Sequence, residues 1–354
     1  MILITGINGE MGRALIARLY DLKSQKIVGL DIKPPNSKIK TLLHNSYVGD
    51  IRDERLIEEI FQENEIDTVY HLAAILSTKA ESIPFLAHQI NVDGFLNLMK
   101  QIVQKGEMVK FFFPSSIAVY TINNNIDYPI TEEEFASPNN IYGCNKLYCE
   151  KLGQYFSEYS NKNYIDFRSI RFCGIISAET LPQGGTSDYA PEMIHNAFNQ
   201  NNYTCFVDEK SCLPFIIMPD AINAIIQIMG IEKERLNRST YNITSFSPTV
   251  LDLSNIIKSS HIKNDLSVSI NQAASSHLLA LRVNHKVTKS LEIIVPSVQQ
   301  EMMSTRVIII LEEGAKLNLL EVILGNKKSA QNHLIEIKLE DNSELNHELI
   351  SLGQ

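Results

Sequence analysis

Met1-Ile2-Leu3-Ile4-Thr5-Gly6-Ile7-Asn8-Gly9-Glu10-Met11-Gly12 decides the fold. An apolar, strand-forming run breaks at a glycine. Met11, Leu15, Ile16 and Leu19 then recur at helical spacing. Strand, glycine turn and helix in that order form the setting of a phosphate-binding motif. Gly6 permits the tight turn, Gly9 lets a pyrophosphate approach the backbone, and Gly12 lets helix and strand pack closely. The free N–H groups at the helix start carry a partial positive charge suited to phosphate. The spacing is G-x-x-G-x-x-G, one residue wider than G-x-G-x-x-G, and the alternative is a merely flexible turn.

Working outward, Ile27-Val28-Gly29-Leu30-Asp31 is a second strand that ends in an acid. It lies about 20 residues past the last glycine, the place where a carboxylate accepts ribose hydroxyls and repels a 2′-phosphate. Asp31 therefore argues for NAD over NADP, unless it is an ordinary strand-end turn residue. Further strands follow at Tyr47-Val48, before Gly49-Asp50-Ile51, then at Asp67 to Ala74, and at Val109 to Phe113, before Pro114-Ser115-Ser116. Asn91-Val92-Asp93-Gly94 opens or interrupts a long helix. Alternating strands and helices imply right-handed crossovers and a parallel sheet, hence a doubly wound α/β fold. Ligands of such sheets bind beyond the carboxyl ends of the strands. Gly6, Asp31, Asp50, Ala73-Ala74 and Ser115-Ser116 all fall there. His71 reads as packed rather than catalytic.

Tyr142-Gly143-Cys144-Asn145-Lys146 puts a phenol and an ammonium one turn apart on one helix face. The ammonium is expected to lower the phenol's pKa and make it a general base. Ser116, at a strand end, is placed to orient a substrate oxygen; the alternative is a Ser-Ser turn. Phe167 to Phe172 is a further strand, and Ser239 to Ile243 another. The polar loop Gln183-Gly184-Gly185-Thr186-Ser187-Asp188-Tyr189 has the place of a substrate lid. Helices are expected from Pro219 to about Ile231 and from Pro248 to Lys258.

The chain has 354 residues and a net charge of -9, which disfavours nucleic acid or an anionic membrane as partner. Its five cysteines form no C-x-x-C pair and read as reduced thiols of a cytoplasmic protein. Met1 leads straight into a strand, so no signal peptide is expected, and no metal-ligand set stands out.

These residues resemble the extended short-chain dehydrogenase/reductase superfamily, the NAD-dependent epimerase/dehydratase family. The marks are Thr5-Gly6, Gly9, Gly12, Asp31, Asp50-Ile51, His71-Leu72-Ala73-Ala74, Asn91-Val92, Gly94, Ser115-Ser116, Tyr142 and Lys146. Residues 1–258 resemble most the short-chain type of L-threonine 3-dehydrogenase. Pro114 to Val119, Gly184 to Ala190, Tyr203-Thr204-Cys205-Phe206, Leu213-Pro214 and Met218-Pro219-Asp220-Ala221 carry that likeness. The resemblance implies a Rossmann-type sheet with a small substrate lobe. It implies NAD contacts from Gly6, Asn8, Gly9, Met11, Gly12, Asp31, Asp50, Ile51, Leu72, Ala73, Ala74, Asn91, Tyr142 and Lys146. It also implies catalysis by Tyr142, Lys146 and Ser116, with Ser77, Ser116, Thr186 and Asp188 holding a small amino acid such as L-threonine. A homodimer is a further expectation. Cys173 stands where the family usually has proline. The alternatives are another extended short-chain enzyme, such as a nucleotide-sugar epimerase, or a poorly active chimera.

The pattern changes from about Asp265. Strand-like segments such as Leu278–Leu281, Leu291–Val295 and Val307–Leu311 alternate with polar turns. Leu311-Glu312-Glu313-Gly314-Ala315-Lys316-Leu317-Asn318 matches Leu339-Glu340-Asp341-Asn342-Ser343-Glu344-Leu345-Asn346, 28 positions on. A fixed repeat of strand and turn points to stacked β-coils, against a twisted antiparallel sheet. Residues 265–354 resemble a fragment of the SufB/SufD iron–sulfur cluster assembly scaffold family. Ile270-Asn271-Gln272-Ala273, Arg306 to Ile309 and Leu345-Asn346-His347 carry that resemblance, and Suf-type partners are expected if this region functions. The domain expectation is thus 1–258 and 265–354, the substrate lobe being cut short and replaced.

Overall fold

The structure, a computed structural model, describes residues 1–121, 129–161, 164–177, 185, 187–199, 201–259, 271–273, 278–284, 291–295, 302–324 and 330–352. In chain order its first elements are β1 (Ile2–Thr5), α1 (Glu10–Asp21), β2 (Ile27–Asp31), α2 (Ser37–Lys40), β3 (Asn45–Val48), α3 (Glu54–Glu63) and β4 (Thr68–His71). Next come α4 (Ser77–Ser82), α5 (Pro84–His88), α6 (Gly94–Lys105), β5 (Val109–Ser116), α7 (Ile141–Gln154), β6 (Ile165–Phe172) and β7 (Gly174–Ile176). Then follow α8 (Tyr189–Phe198), β8 (Phe215–Ile217), α9 (Met218–Gly230), β9 (Thr240–Ile243) and α10 (Val250–Ser259). The remainder is strand: β10 (Asn271–Ala273), β11 (Leu278–Val283), β12 (Leu291–Val295), β13 (Met302–Leu311), β14 (Lys316–Leu324), β15 (Ala330–Leu339) and β16 (Glu344–Leu352). The chain forms two compact units, Met1–Tyr189 with Leu213–Thr244, and Ala190–Cys212 with Ser245–Gln354.

In the first unit, seven strands pair in the order β3-β2-β1-β4-β5-β6-β9, every pair parallel. This is the doubly wound order, with its switch point between β1 and β4. Side chains alternate across each strand and so feed two cores. Ile2, Ile4, Phe112, Ile170 and Phe172 pack on one face beside α1 and α9 residues. Leu3, Phe111, Phe113 and Phe167 pack on the other with Val92, Phe95 and Leu98. Fully burying one such side chain is worth about 1.5–3 kcal/mol. These runs form strands because both faces are covered, which is why β6 is buried at all eight positions. Midway along β6, Arg168 pairs with Asp166 and donates to the carbonyls of Ile228 and Ile231 (2.6 Å for the latter), closing the last turn of α9. β7 and β8 form a separate parallel pair.

The strands of the second unit form two further sheets, β10-β11-β13-β15 and β12-β14-β16. Apart from the antiparallel β10–β11 pair, their partners run parallel. Leu278 faces Arg306, Met302 faces Ala330, Leu291 faces Leu319 and Lys316 faces Glu344, so every register step is 28 residues. The sequence repeat is therefore a stack of coils, and the antiparallel alternative is excluded for these strands. Leu281, Val283, Ile293, Val307, Ile309, Leu311, Ala315, Leu317 and Leu319 fill the inside. Gly314 (φ 74°) and Asn342 (φ 57°) take the left-handed conformation at equivalent turns, a conformation glycine and asparagine adopt most readily. Gly314 N–H donates to Asp341 at 2.9 Å, and the Asn346 amide donates to Asn318 at 2.9 Å, one coil on the next.

Candidate active site

The glycine turn is set by contacts at each glycine. Gly6 has φ +76°, and a Cβ there would lie 2.8 Å from the Ala73 backbone nitrogen. The turn after β1 is thus pressed against the exit of β4. A Cβ on Gly12 would strike the Gly6 carbonyl oxygen. Gly9 caps α1 with no side chain bonded to the helix start, leaving that end open to an anion. These features fit a pyrophosphate. Asp31 accepts the Asn8 N–H at 2.9 Å and the Lys33 N–H at 3.1 Å, and the Asn8 amide donates to the Lys33 carbonyl at 2.8 Å. The acid at the end of β2 therefore touches the glycine turn itself.

Other residues expected at the cofactor serve the backbone around it. Asp50 is gripped by Arg52 (Nη2 to Oδ2, 2.7 Å), and that pairing holds its carboxyl below the usual range. Ile51 is buried against Gly94, where a Cβ would come within 2.6 Å of its Cγ2. Met11, in the first turn of α1, packs partly buried against the core. The Asn91 amide accepts from Ile75 N–H at 2.8 Å and donates to Ile75 O at 3.0 Å. It sits in a π-helical turn, Gln89–Asp93, that interrupts the helix run. Asn91 thereby fixes the segment after Leu72-Ala73-Ala74. His71 is packed, as the sequence reading has it. Its Nδ1 lies 2.9 Å from Thr5 Oγ1, its ring meets Phe95, Phe111 and Phe113, and burial pushes it down to about 3.

α7 is built to hold its first turn against β5. Asn140 caps it by accepting the Gly143 N–H at 2.7 Å, and Glu81 of α4 accepts the Ile141 N–H at 2.7 Å. Gly143 lies so close to Ala118 that any Cβ would meet its carbonyl. Lys146 is 3% exposed. Its ammonium donates to Pro114 O at 2.7 Å and stands 4.5 Å from the Phe113 ring and 5.4 Å from the Tyr142 ring. Ser116 closes β5, and its Oγ accepts the Ala118 N–H at 3.1 Å.

The expected lowering of the Tyr142 pKa is not the net result. Burial pushes the phenol up, and it brings the Lys146 ammonium down to about 8, against the pull of Cys149 and Glu150. Taking a charge out of water outweighs a cation whose closest contact is a carbonyl. Ser77 opens α4, and Asp188 accepts the Gly185 N–H at 2.6 Å. Thr186 lies outside the described residues. Cys173 is buried, its thiol pushed up to about 12, so it is not a nucleophile at neutral pH.

One set of residues escaped the sequence reading. Glu150, one turn beyond Lys146, pairs with Arg171 (Nε–Oε1 2.9 Å, Nη2–Oε2 2.7 Å) and accepts from Ser115 Oγ. Arg171 continues to Tyr120 Oη at 2.6 Å and Glu132 O at 2.7 Å. The i, i+4 spacing from Lys146 was the available signal. The residues described hold no group of three His, Cys, Asp or Glu able to bind a metal ion, and no helix among them is long and apolar enough to cross a membrane.

A doubly wound parallel sheet, a glycine turn at its switch point and a Tyr-Lys helix beside it define an NAD-dependent enzyme of oxidoreductase or epimerase type. The chain belongs to the NAD dependent epimerase/dehydratase family, which it matches over residues 2–244. It is 32% identical over 249 residues to an uncharacterised epimerase/dehydratase of Staphylococcus saprophyticus, covering 70% of this chain and 76% of that one. Its fold matches a monomeric L-threonine 3-dehydrogenase from a metagenome at a TM-score of 0.66 and 37% identity, covering 73% of this chain and 82% of the other. An L-threonine dehydrogenase of Cupriavidus necator matches at a TM-score of 0.67 and 30% identity, with 73% and 82% covered.

Proposed function

We propose that the first unit oxidises the β-hydroxyl of L-threonine to 2-amino-3-ketobutyrate. What supports this reading is the Lys146 ammonium, 2.7 Å from Pro114 O near the end of β5 and 5.4 Å from the Tyr142 ring, with Ser116 closing that strand. They stand in a fold whose structural neighbours include L-threonine dehydrogenases at 30% and 37% identity. When bound, NAD⁺ supplies the acceptor for the hydride that leaves the threonine Cβ. Tyr142 takes the hydroxyl proton, Lys146 favours its phenolate and holds the nicotinamide ribose, and Ser116 hydrogen-bonds the reacting oxygen. Asp31 receives the adenosine ribose, and the glycine turn receives the pyrophosphate, with Asn8, Met11, Asp50, Ile51, Leu72, Ala73, Ala74 and Asn91 shaping the pocket. Ser77, Thr186 and Asp188 hold the amino acid, Asp188 suiting its ammonium.

Tyr142→Phe tests this: threonine-dependent NADH formation should fall at least about a hundredfold, the lower end of general-base contributions, while NADH binding persists. Equal turnover by the variant would sink the assignment. The family's name and the Staphylococcus relative favour one second reading, an epimerase or dehydratase acting on a nucleotide sugar. Product analysis with threonine against UDP-sugars separates the two. For residues 265–354 we propose a SufD-like scaffold segment, a reading supported by the parallel coils at a 28-residue register. Co-purification with Suf partners tests it.

A further inference from the structure

Lys146 and Glu150 lie one turn apart on the buried face of α7 and grip neighbouring residues of one strand. Lys146 donates to Pro114 O, and Glu150 accepts from Ser115 Oγ. The next residue along is Ser116. Two rungs thus staple helix to strand below the point where Tyr142 and Ser116 stand. Both Glu150 oxygens are also held by Arg171 of β6, whose other nitrogen reaches Tyr120 and Glu132. Glu150 and Arg171 are each 3% exposed.

A buried ion pair is poor value as a stabilising device, because desolvation offsets most of its attraction. Its location offers a better reason for it. The groups facing Lys146 are Tyr142, Cys149 and Glu150 of α7, His71 of β4 and the Phe113 ring of β5, with Arg171 of β6 behind Glu150. His71 is pushed down to about 3 and Cys149 up to about 12, so both are neutral around pH 7. Glu150 is the carboxylate that acts on the Lys146 ammonium, while burial acts against it.

We propose that Glu150 is a positioning residue for the Tyr142–Lys146 pair: held by Arg171 of β6, it ties α7 to the end of β5 and sets a carboxylate one turn from the Lys146 ammonium. The proposal rests on the reading of Lys146 as the cation that serves Tyr142 and the ribose. It adds the carboxylate placed one turn from that cation.

The test is an NMR titration of the whole chain carrying isotope-labelled lysine Cε, with the Lys146 signal identified by its loss in Lys146→Met. Glu150→Gln leaves the Arg171 guanidinium unbalanced, so Lys146 should bind its proton about tenfold more weakly, the effect of a charged neighbour at close range. A merely structural role gives the opposite sign. A loosened core admits water and moves Lys146 up toward the ordinary lysine value. Replacing Glu150 and Arg171 together by Met removes the carboxylate without leaving a charge unpaired and should also move the midpoint down; it carries the test if Glu150→Gln does not fold. A Lys146 midpoint that stays put or rises in the folded variants overturns the proposal. The titration needs no substrate. If the wild-type chain fails to turn over threonine, the proposed function falls and this measurement still stands.

Discussion

The Lys146 ammonium stands 5.4 Å from the Tyr142 ring, and burial works against the charged form of each. With one proton removed, the two are either a phenolate beside an ammonium or a neutral phenol beside a neutral amine, and burial favours the second arrangement. His71 lies behind the pair and is the clearest pH liability of the unit. Its folded value is depressed to about 3, against 6.5 for a free histidine. Between those values the unfolded chain binds a proton that the folded chain does not. Stability is therefore full above about pH 6.5 and falls by roughly 1.4 kcal/mol for each pH unit below it. His71→Asn, which keeps a polar partner for Thr5, should lose about 2 kcal/mol less than wild type between pH 7 and pH 5. Urea unfolding at the two pH values measures this, and equal losses would refute it.

At the scale of elements, the turn between β1 and α1 is the least forgiving. In Gly12→Ala, the new methyl meets the Gly6 carbonyl, a backbone atom that cannot rotate away. Overpacking of this kind costs about 1–3 kcal/mol. The variant should melt at a lower temperature and bind NADH more weakly in a fluorescence titration. Unchanged values for both would show that the turn yields. These elements were legible in the sequence because their signals are local. Met1 to Ile4 and Phe111 to Phe113 are continuous apolar runs, and Tyr142 and Lys146 lie four residues apart. The coils of the second unit were legible through their repeat. What was hidden depends on residues distant in sequence. The partner of Glu150 lies on β6, and that of Asn91 is the backbone at Ile75. Likewise the shift at Tyr142 follows from burial that no spacing reveals.

At the scale of the whole molecule, the two units are built on different principles. In the first, Leu3 packs with residues as distant as Phe167, and the site exists because strands brought together from far along the chain end at one edge. Contacts of that kind make the unit all-or-none. In the second, each described coil pairs with the coil 28 residues away, so stability there accumulates coil by coil.

The left-handed residues Gly314 and Asn342 make the length of that second unit quantised. They are equivalent points on successive rungs, so Gly314 to Asp341 is one complete period of the spiral. Excising it joins Glu313 to Asn342 and leaves the turn chemistry, the inward alternation and the asparagine positions in phase. Removing one residue fewer would turn every inward side chain of the last rung toward solvent. Circular dichroism and limited proteolysis of the two deletion variants should find the whole-period deletion still folded as coils, though one rung less stable, and the other frayed. Such a spiral can therefore gain or lose whole rungs over its history while intermediate lengths are selected against.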